Sequence, residues 1–391
     1  MTSEESRMSS AKHQWRTDRL DHLKAVIEDD IARDRYNGAV LIVARGGEIA
    51  FQHAIGSHDQ AQTRALTMDS VFSIFSVTKA VTNVLAFRAI ERGQFALTSK
   101  ICDIIPEFFT PARSPITIFD LLTHSSGLPP FFTPRADLNI DKFDDVLAAI
   151  YQVAHPISPP GVRVEYSPMA NHALLGEAVR RTDPAKRSYR QIAQDEIFTP
   201  LKMTDSSIGR RADLAARHVI PDFRNMIYSH PSSSNLGPNG AFEEEHAEMP
   251  WVGAVMSVPD LYRFAEMLRR GGELDGARIL SPAIIELARR NWTGDKPNEL
   301  YATVAHRANW RIFPAYMGLG FALRGTGMHH ALYGTLASPE TFGNYGAGSS
   351  LFWVDPVRDI TFAFLSAGVM AGDTNIERFQ RLSDIAISAA V

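Results

Sequence analysis

The stretch from Val77 to Ile90 is apolar nearly all round, broken only by Lys79, Thr82, Asn83 and Arg88, and Gly93 follows as a stop. A helix without a polar face has to be surrounded, so this segment predicts a central buried helix. The rest of the chain must supply layers on every side of it. Lys79 is the anomaly. An unpaired ammonium in an apolar interior is costly, so the amine is either compensated or functional. Ser76 stands three residues before it, on the same helix face and within hydrogen-bond reach. A partly desolvated lysine has a lowered pKa and accepts a serine proton, the activation that a serine nucleophile needs. The same spacing also fits a lysine snorkelling from a helix end. Ser9 and Lys12 repeat it in a polar leader, where nothing would desolvate an amine.

Around this helix the chain reads as strands and helices at both ends of a helical middle. Residues 1–15 read as a disordered leader. Leu20, Leu23, Ile27 and Ile31 then form one face of an amphipathic helix. Two β-rich runs flank Arg45-Gly46-Gly47-Glu48, a hairpin signature. Strand signals return in MGLGFALRG, GSSLFWVD and DITFAFLSAG, and NIERFQRLSDIAISAAV closes as a helix. The expected division is a discontinuous sheet domain, 16–100 plus 250–391, and a mainly helical domain, 101–249, with the site between them. PSSSNLGPNG, 231–240, reads as a loop, and no internal repeat is evident.

Composition excludes several classes. With 391 residues, a net charge of −4 and no Lys/Arg run, nucleic acid is not an expected partner. The single cysteine, Cys102, permits neither an intramolecular disulfide nor a Cys cluster for zinc. There is no His-Glu-x-x-His, and neither His329-His330 nor the EEEH at 243–246 has ligand spacing, so no metal and no cofactor are expected. No Gly-x-Ser-x-Gly elbow occurs. No stretch approaches the ~20 apolar residues of a membrane span, and the opening has no apolar signal core. A cytoplasmic protein without membrane partners is expected. No pattern specifies an oligomeric state.

SVTK within SVFSIFSVTKAVTNVLAFRAIERGQFALTSKI, followed by ITIFDLLTHSSGLP, resembles the β-lactamase-related serine hydrolases: class C β-lactamases, DD-peptidases and family VIII carboxylesterases. The resemblance runs from Gly38 to about Gly368. It implies an α/β (α+β) β-lactamase/transpeptidase-like fold, an antiparallel sheet flanked by helices with a mostly helical middle domain. It also implies an acyl-enzyme on Ser76, with Lys79 as its base. VEYSPMANHALLG matches the family's Tyr-Ser-Asn element, which puts Tyr166 in the proton-shuttling role; Tyr166 read alone is equally a core tyrosine. Pro168 stands where the asparagine is usual, and Asn171 is the expected source of the missing amide. Asn344-Tyr345-Gly346 aligns with the third element, Lys-Thr-Gly in β-lactamases. The Ala347 N–H then pairs with that of Ser76 as an oxyanion hole. Trp251 is expected to line the pocket; Phe131, Phe132, Tyr228, Trp251 and Tyr345 read either as an acyl-binding wall or, for any one of them, as ordinary core or loop packing. The expected function is hydrolysis of a small-molecule ester. Acyl transfer or amide cleavage on the same fold, β-lactamase and D-aminoacyl peptidase types included, is the alternative, and a catalytically silent binding protein the second.

Overall fold

A computed structural model describes residues 14–135, 138–225, 245–347 and 349–391. The leader up to His13, the 231–240 loop, Tyr228 and Gly348 lie outside the described residues. The first helix, α1 (Thr17–Ala32), buries Leu20, Leu23 and Ile27, the face its spacing predicts. Strands β1 (Gly38–Arg45) and β2 (Glu48–Gly56) form the hairpin, with Gly46 and Gly47 both at positive φ, as a tight two-residue turn requires. A short strand β3 (Val71–Ser73) leads through a 3₁₀ turn (Phe75–Val77) into α2 (Thr78–Glu91).

The middle of the chain contributes the helices α3 (Ile118–Leu122), α4 (Phe143–Val153) and α5 (Ala170–Thr182). It also supplies the two-residue strands β4 (Ser207–Ile208) and β5 (His218–Val219). These pair with β3 and with β6 (Ala254–Ser257) in a small sheet ordered β4-β6-β3-β5. Then follow α6 (Val258–Arg269), α7 (Glu299–Arg307), β7 (Ala322–Leu323), β8 (Phe342–Gly346), β9 (Ser350–Asp355), β10 (Ile360–Ala367) and α8 (Gly372–Ser388).

The large sheet is antiparallel throughout, in the order β2-β1-β10-β9-β8-β7. Its central strands read as continuous apolar runs because they are covered on both faces. Along β1, Val40 and Ile42 join one core while Ala39, Leu41 and Val43 join the other. Ala363 and Leu365 of β10 alternate with Phe362 and Phe364 in the same way. The second core lies under α1 and α8; the first continues beneath α6 into α2 and α5. This is the β-lactamase/transpeptidase-like fold, with mixed helices around an antiparallel sheet. Among the described residues no helix is long and apolar enough to cross a membrane.

One expected strand is mostly a turn. In MGLGFALRG only Ala322–Leu323 pairs, because Gly318 bonds back to Phe321 and the positive φ of Gly320 presents its carbonyl to Asn83. As a result β7 covers only Phe342 and Gly343, and the last three residues of β8 form a strand edge without a neighbour on that side.

Helix α2 is buried as expected, and each polar interruption has a partner. Thr82 bonds Tyr189 at 2.6 Å and the Pro250 carbonyl at 2.5 Å, and Asn83 bonds Gly320 and His172. At the far end, Arg88 meets Glu196 at 2.7 Å, and Arg92 and Arg187 bind the same carboxylate. Burial pushes Glu196 up, but hydrogen bonds from Arg92, Arg88 and Arg187 outweigh it and hold the group at about 2. A folded-state pKa below the ordinary 4.5 stabilises the fold above about pH 4.5, and that contribution is lost as pH falls through about 2. Glu196→Gln is expected to cost roughly 2–3 kcal/mol at pH 7. In denaturant titrations against pH, the gap from wild type should close between about pH 4.5 and 2, and a pH-independent gap would contradict the assignment.

Candidate active site

Ser76 sits in the 3₁₀ turn between β3 and α2, where the backbone is strained. Phe75 has φ +49°, a left-handed conformation that is uncommon for a bulky residue, and its side chain is buried. The sheet holds it there. The Ser350 hydroxyl donates to the Ile74 carbonyl at 2.7 Å. Gly346 of β8 packs so closely that a Cβ would lie 2.6 Å from that carbonyl oxygen and 3.1 Å from the Phe75 Cβ. The glycine is therefore required by close approach of two backbones, the strand edge and the serine turn.

One helical turn on, Lys79 is 2% exposed. Its Nζ lies 3.0 Å from Ser76 Oγ and donates to the Trp251 carbonyl at 2.9 Å, and it stands 5.1 Å from the centre of the Tyr166 ring. Among the described residues Lys79 makes no salt bridge, and its amine contacts are a hydroxyl, a carbonyl and a ring face. Burial accordingly pushes its pKa well below 10.5. In the neutral form its lone pair is directed at a serine proton across the same 3.0 Å contact.

Tyr166 approaches from the other side. Burial raises its pKa, and the hydrogen bond with Ser76 opposes that shift. Burial thus favours the neutral phenol over the phenolate. Its backbone is fixed by two partners outside the motif: Asn298, the N-cap of α7, accepts from Tyr166 N at 3.2 Å, and His124 Nδ1 accepts from Ser167 N at 3.0 Å. His124, in LLTHSSGLP, is itself at φ +54° just beyond α3, a helix opened by a Thr117–Asp120 capping box. Its ring lies 4.9 Å from that of Tyr166. Burial, and then the neighbouring Lys79, pushes His124 down to about 3, so it adds no positive charge beside the amine.

Two cavities meet at this cluster, and Ser76, Tyr166, Tyr301 and Tyr345 line both. The narrow lobe, about 70 Å³, is bordered by Lys79, His124, Asn298 and Asn344. The wide lobe, about 280 Å³, is bordered by Phe75, Phe132, Pro168, Trp251, Val252 and Ala347. Of the residues expected from sequence, Ser76, Lys79, Tyr166, Asn344, Tyr345, Trp251 and Ala347 thus come together, and Gly346 fixes the strand between them.

Two expectations are corrected. Asn171 does not supply an amide at Pro168. It is fully buried in the first turn of α5, where its Nδ2 donates to the Leu121 carbonyl at 3.1 Å and its Oδ1 accepts from Ser126 at 2.9 Å. The amide therefore ties α5 to α3 through Leu121 and to the loop after it through Ser126, and Asn171 borders neither lobe. Phe131 also borders neither; it packs against the core, and Phe132 takes the wall position. Tyr228 is outside the described residues. Among those residues no group of three or more His, Cys, Asp or Glu side chains is placed to hold a metal ion. Sequence reasoning missed Asn298, Tyr301 and Tyr333. The Asn-Glu-Leu at 298–300 carries a helix-start signal, but nothing in it points to Tyr166.

The chain is similar to known proteins over most of its length. Protein Rv1367c of Mycobacterium tuberculosis is 28% identical over 379 residues, covering 88% of this chain and 89% of its own. Esterase/beta-lactamase LipL of the same organism is 24% identical over 361 residues, covering 85% and 77%. A crystal structure of a family VIII carboxylesterase superposes with a TM-score of 0.76 at 20% identity, over 94% of this chain and 97% of that one. Residues 23–385, which hold the Ser76 turn, Tyr166 and β8 alike, match the model of the Beta-lactamase family, and the chain belongs to that family.

Proposed function

We propose that the chain is a carboxylesterase-type serine hydrolase that cleaves a small-molecule ester through an acyl-enzyme on Ser76. The observation that carries this reading is Lys79: a buried amine 3.0 Å from a serine hydroxyl, in no salt bridge, is held as a base. Ser76 Oγ attacks the ester carbonyl carbon while its proton passes to Lys79. The N–H groups of Ser76 and Ala347 take the developing oxyanion, a stabilisation of about 2.7–4 kcal/mol per donor. The C–O bond to the alcohol then breaks, with the proton returned to the leaving oxygen through Lys79 and the Tyr166 hydroxyl. Water, activated by the same pair, attacks the acyl-enzyme, and the acid leaves with Ser76 regenerated.

An ester is favoured over a β-lactam by charge. Lys-Thr-Gly in β-lactamases offers an ammonium to the substrate carboxylate, a contact that contributes roughly 1.5–3 kcal/mol. Here Asn344 is neutral. Arg324, which borders the narrow lobe, donates instead to the carbonyls of Gly325, Gly327, Gly334 and Thr335.

A fluorophosphonate should add to Ser76, read as intact mass, and Ser76→Ala should abolish both labelling and ester turnover. Lys79→Ala should lose nearly as much, and the double variant no more, because the two act as one unit. Activity should rise with pH through the lowered Lys79 pKa; an acid limb unchanged in Lys79→Ala would assign the base elsewhere. Tyr166→Phe is expected to keep the fold and to reduce kcat on the order of 10²- to 10⁴-fold; a near-normal kcat would pass the role to Tyr345. The protein should hydrolyse p-nitrophenyl butyrate well and a chromogenic cephalosporin weakly, and Asn344→Lys should shift that ratio toward the cephalosporin. Faster cephalosporin cleavage by the unmodified protein would defeat the charge argument.

A further inference from the structure

His124 borders the narrow lobe, is 2% exposed, and takes no part in the proton transfers between Ser76, Lys79 and Tyr166. Its left-handed backbone, φ +54°, lets it serve the tyrosine segment twice. The Glu165 N–H donates to the His124 carbonyl at 2.9 Å, and the Ser167 N–H donates to His124 Nδ1 at 3.0 Å. The N–H between them, that of Tyr166, donates instead to Asn298 Oδ1 at 3.2 Å. Successive N–H groups of an extended chain point to opposite sides, and a neighbouring strand would meet the alternate ones with two carbonyls. Here one residue supplies both acceptors, with Nδ1 in place of the second carbonyl.

A main-chain N–H can only donate, so Nδ1 must offer a lone pair. The imidazole is thereby fixed in the tautomer that carries its proton on Nε2, since a proton on Nδ1 would set N–H against N–H. Its ring lies 4.9 Å from the Tyr166 ring and 5.4 Å from the His172 ring. His172 is in turn anchored to the helix that carries the lysine. The Asn83 amide donates to the Gly320 carbonyl at 2.8 Å, which leaves its Oδ1 to accept from His172 Nε2 at 3.0 Å. Asn83 stands one helical turn after Lys79 on the same face of α2. A chain of contacts therefore runs from α2 through Asn83, His172 and His124 to the backbone on both sides of Tyr166, whose ring centre lies 5.1 Å from the amine.

Resting on the hydrolase reading of Ser76, we infer that His124 is a positioning residue for the reaction: as an acceptor at Nδ1 it locks the backbone on either side of Tyr166 and so places the phenol beside Ser76 and Lys79. It moves no proton itself. Displacing a reacting group by about 1 Å can cost on the order of 10²-fold in rate, so the loss of this one acceptor should be felt at the chemical step.

Two amide substitutions separate this role from others. Asparagine carries its amide oxygen near the place of Nδ1 and suits a left-handed backbone, whereas glutamine carries its amide near the place of Nε2. With p-nitrophenyl butyrate, His124→Gln should lower kcat about 10- to 100-fold and change KM less than about threefold, and His124→Asn should stay within about fivefold of the unmodified protein. In a Tyr166→Phe background His124→Gln should cost less than about threefold more, because its effect passes through the phenol. Equal losses in the two backgrounds, or a glutamine variant as active as the asparagine one, would overturn the inference and leave the hydrolase reading standing. Nitrogen NMR of the unmodified protein, isotope-labelled at its histidines, needs neither turnover nor a damaging variant. At neutral pH the signals that disappear in His124→Asn should be those of an imidazole protonated at Nε2 and bare at Nδ1, and a proton on Nδ1 would overturn the inference. Failure of the unmodified protein both to hydrolyse the ester and to take up a fluorophosphonate would instead remove the hydrolase reading, and the inference with it, whatever the tautomer.

Discussion

The hydrogen bond between Lys79 and Ser76 depends on how the rest of the molecule is built. An amine this deep can act as a base only if no anion reaches it, since a carboxylate partner would hold it protonated. The fold meets that condition with dipoles. The Trp251 carbonyl takes one N–H, the adjacent Pro250 carbonyl is fixed by Thr82, and His124 stays neutral because it too is buried. The ionic groups on α2 lie at its opposite end, where Glu196 collects three arginines two or more helical turns from the amine. The ion pairs and the buried amine are separated along one helix, with the clamp at the C-terminal end and the Ser76–Lys79 contact at the N-terminal end.

Local pattern carried much of this, and its limits have physical causes. The buried helix and the central strands β1, β9 and β10 follow from runs that are apolar without a polar face, and the hairpin from the glycines of its turn, signals that act over a few residues. Ser76, Lys79 and Tyr166, which the structure brings together, stand in recognisable short motifs. Asn298 does not: it holds the Tyr166 backbone from 132 residues away, and such a contact leaves no spacing to detect. Asn171 misled for a related reason. It sits three residues past Pro168, but the start of α5 turns it toward Leu121 and Ser126, so nearness in sequence became distance from the site. MGLGFALRG reads as a strand by composition, and the packing of Gly320 against Asn83 converts most of it into a turn.

That turn has an effect at the site. Because β7 stops at Leu323, β8 has an open edge from which Asn344 and Tyr345 border the cavities. An edge of this kind usually invites another strand. Here it is short and faces the serine turn, beside the cavities.

The close approach of Gly346 to Ile74 and Phe75 divides backbone from side chain along this edge. The glycine is committed to the close approach to the serine turn, whereas Asn344 and Tyr345 border the cavities without carrying that load. Substitutions at those two positions could change the accepted molecule while the catalytic framework stays fixed. Descendants of one such scaffold can therefore diverge in what they cleave by altering a few side chains on a strand whose path does not change.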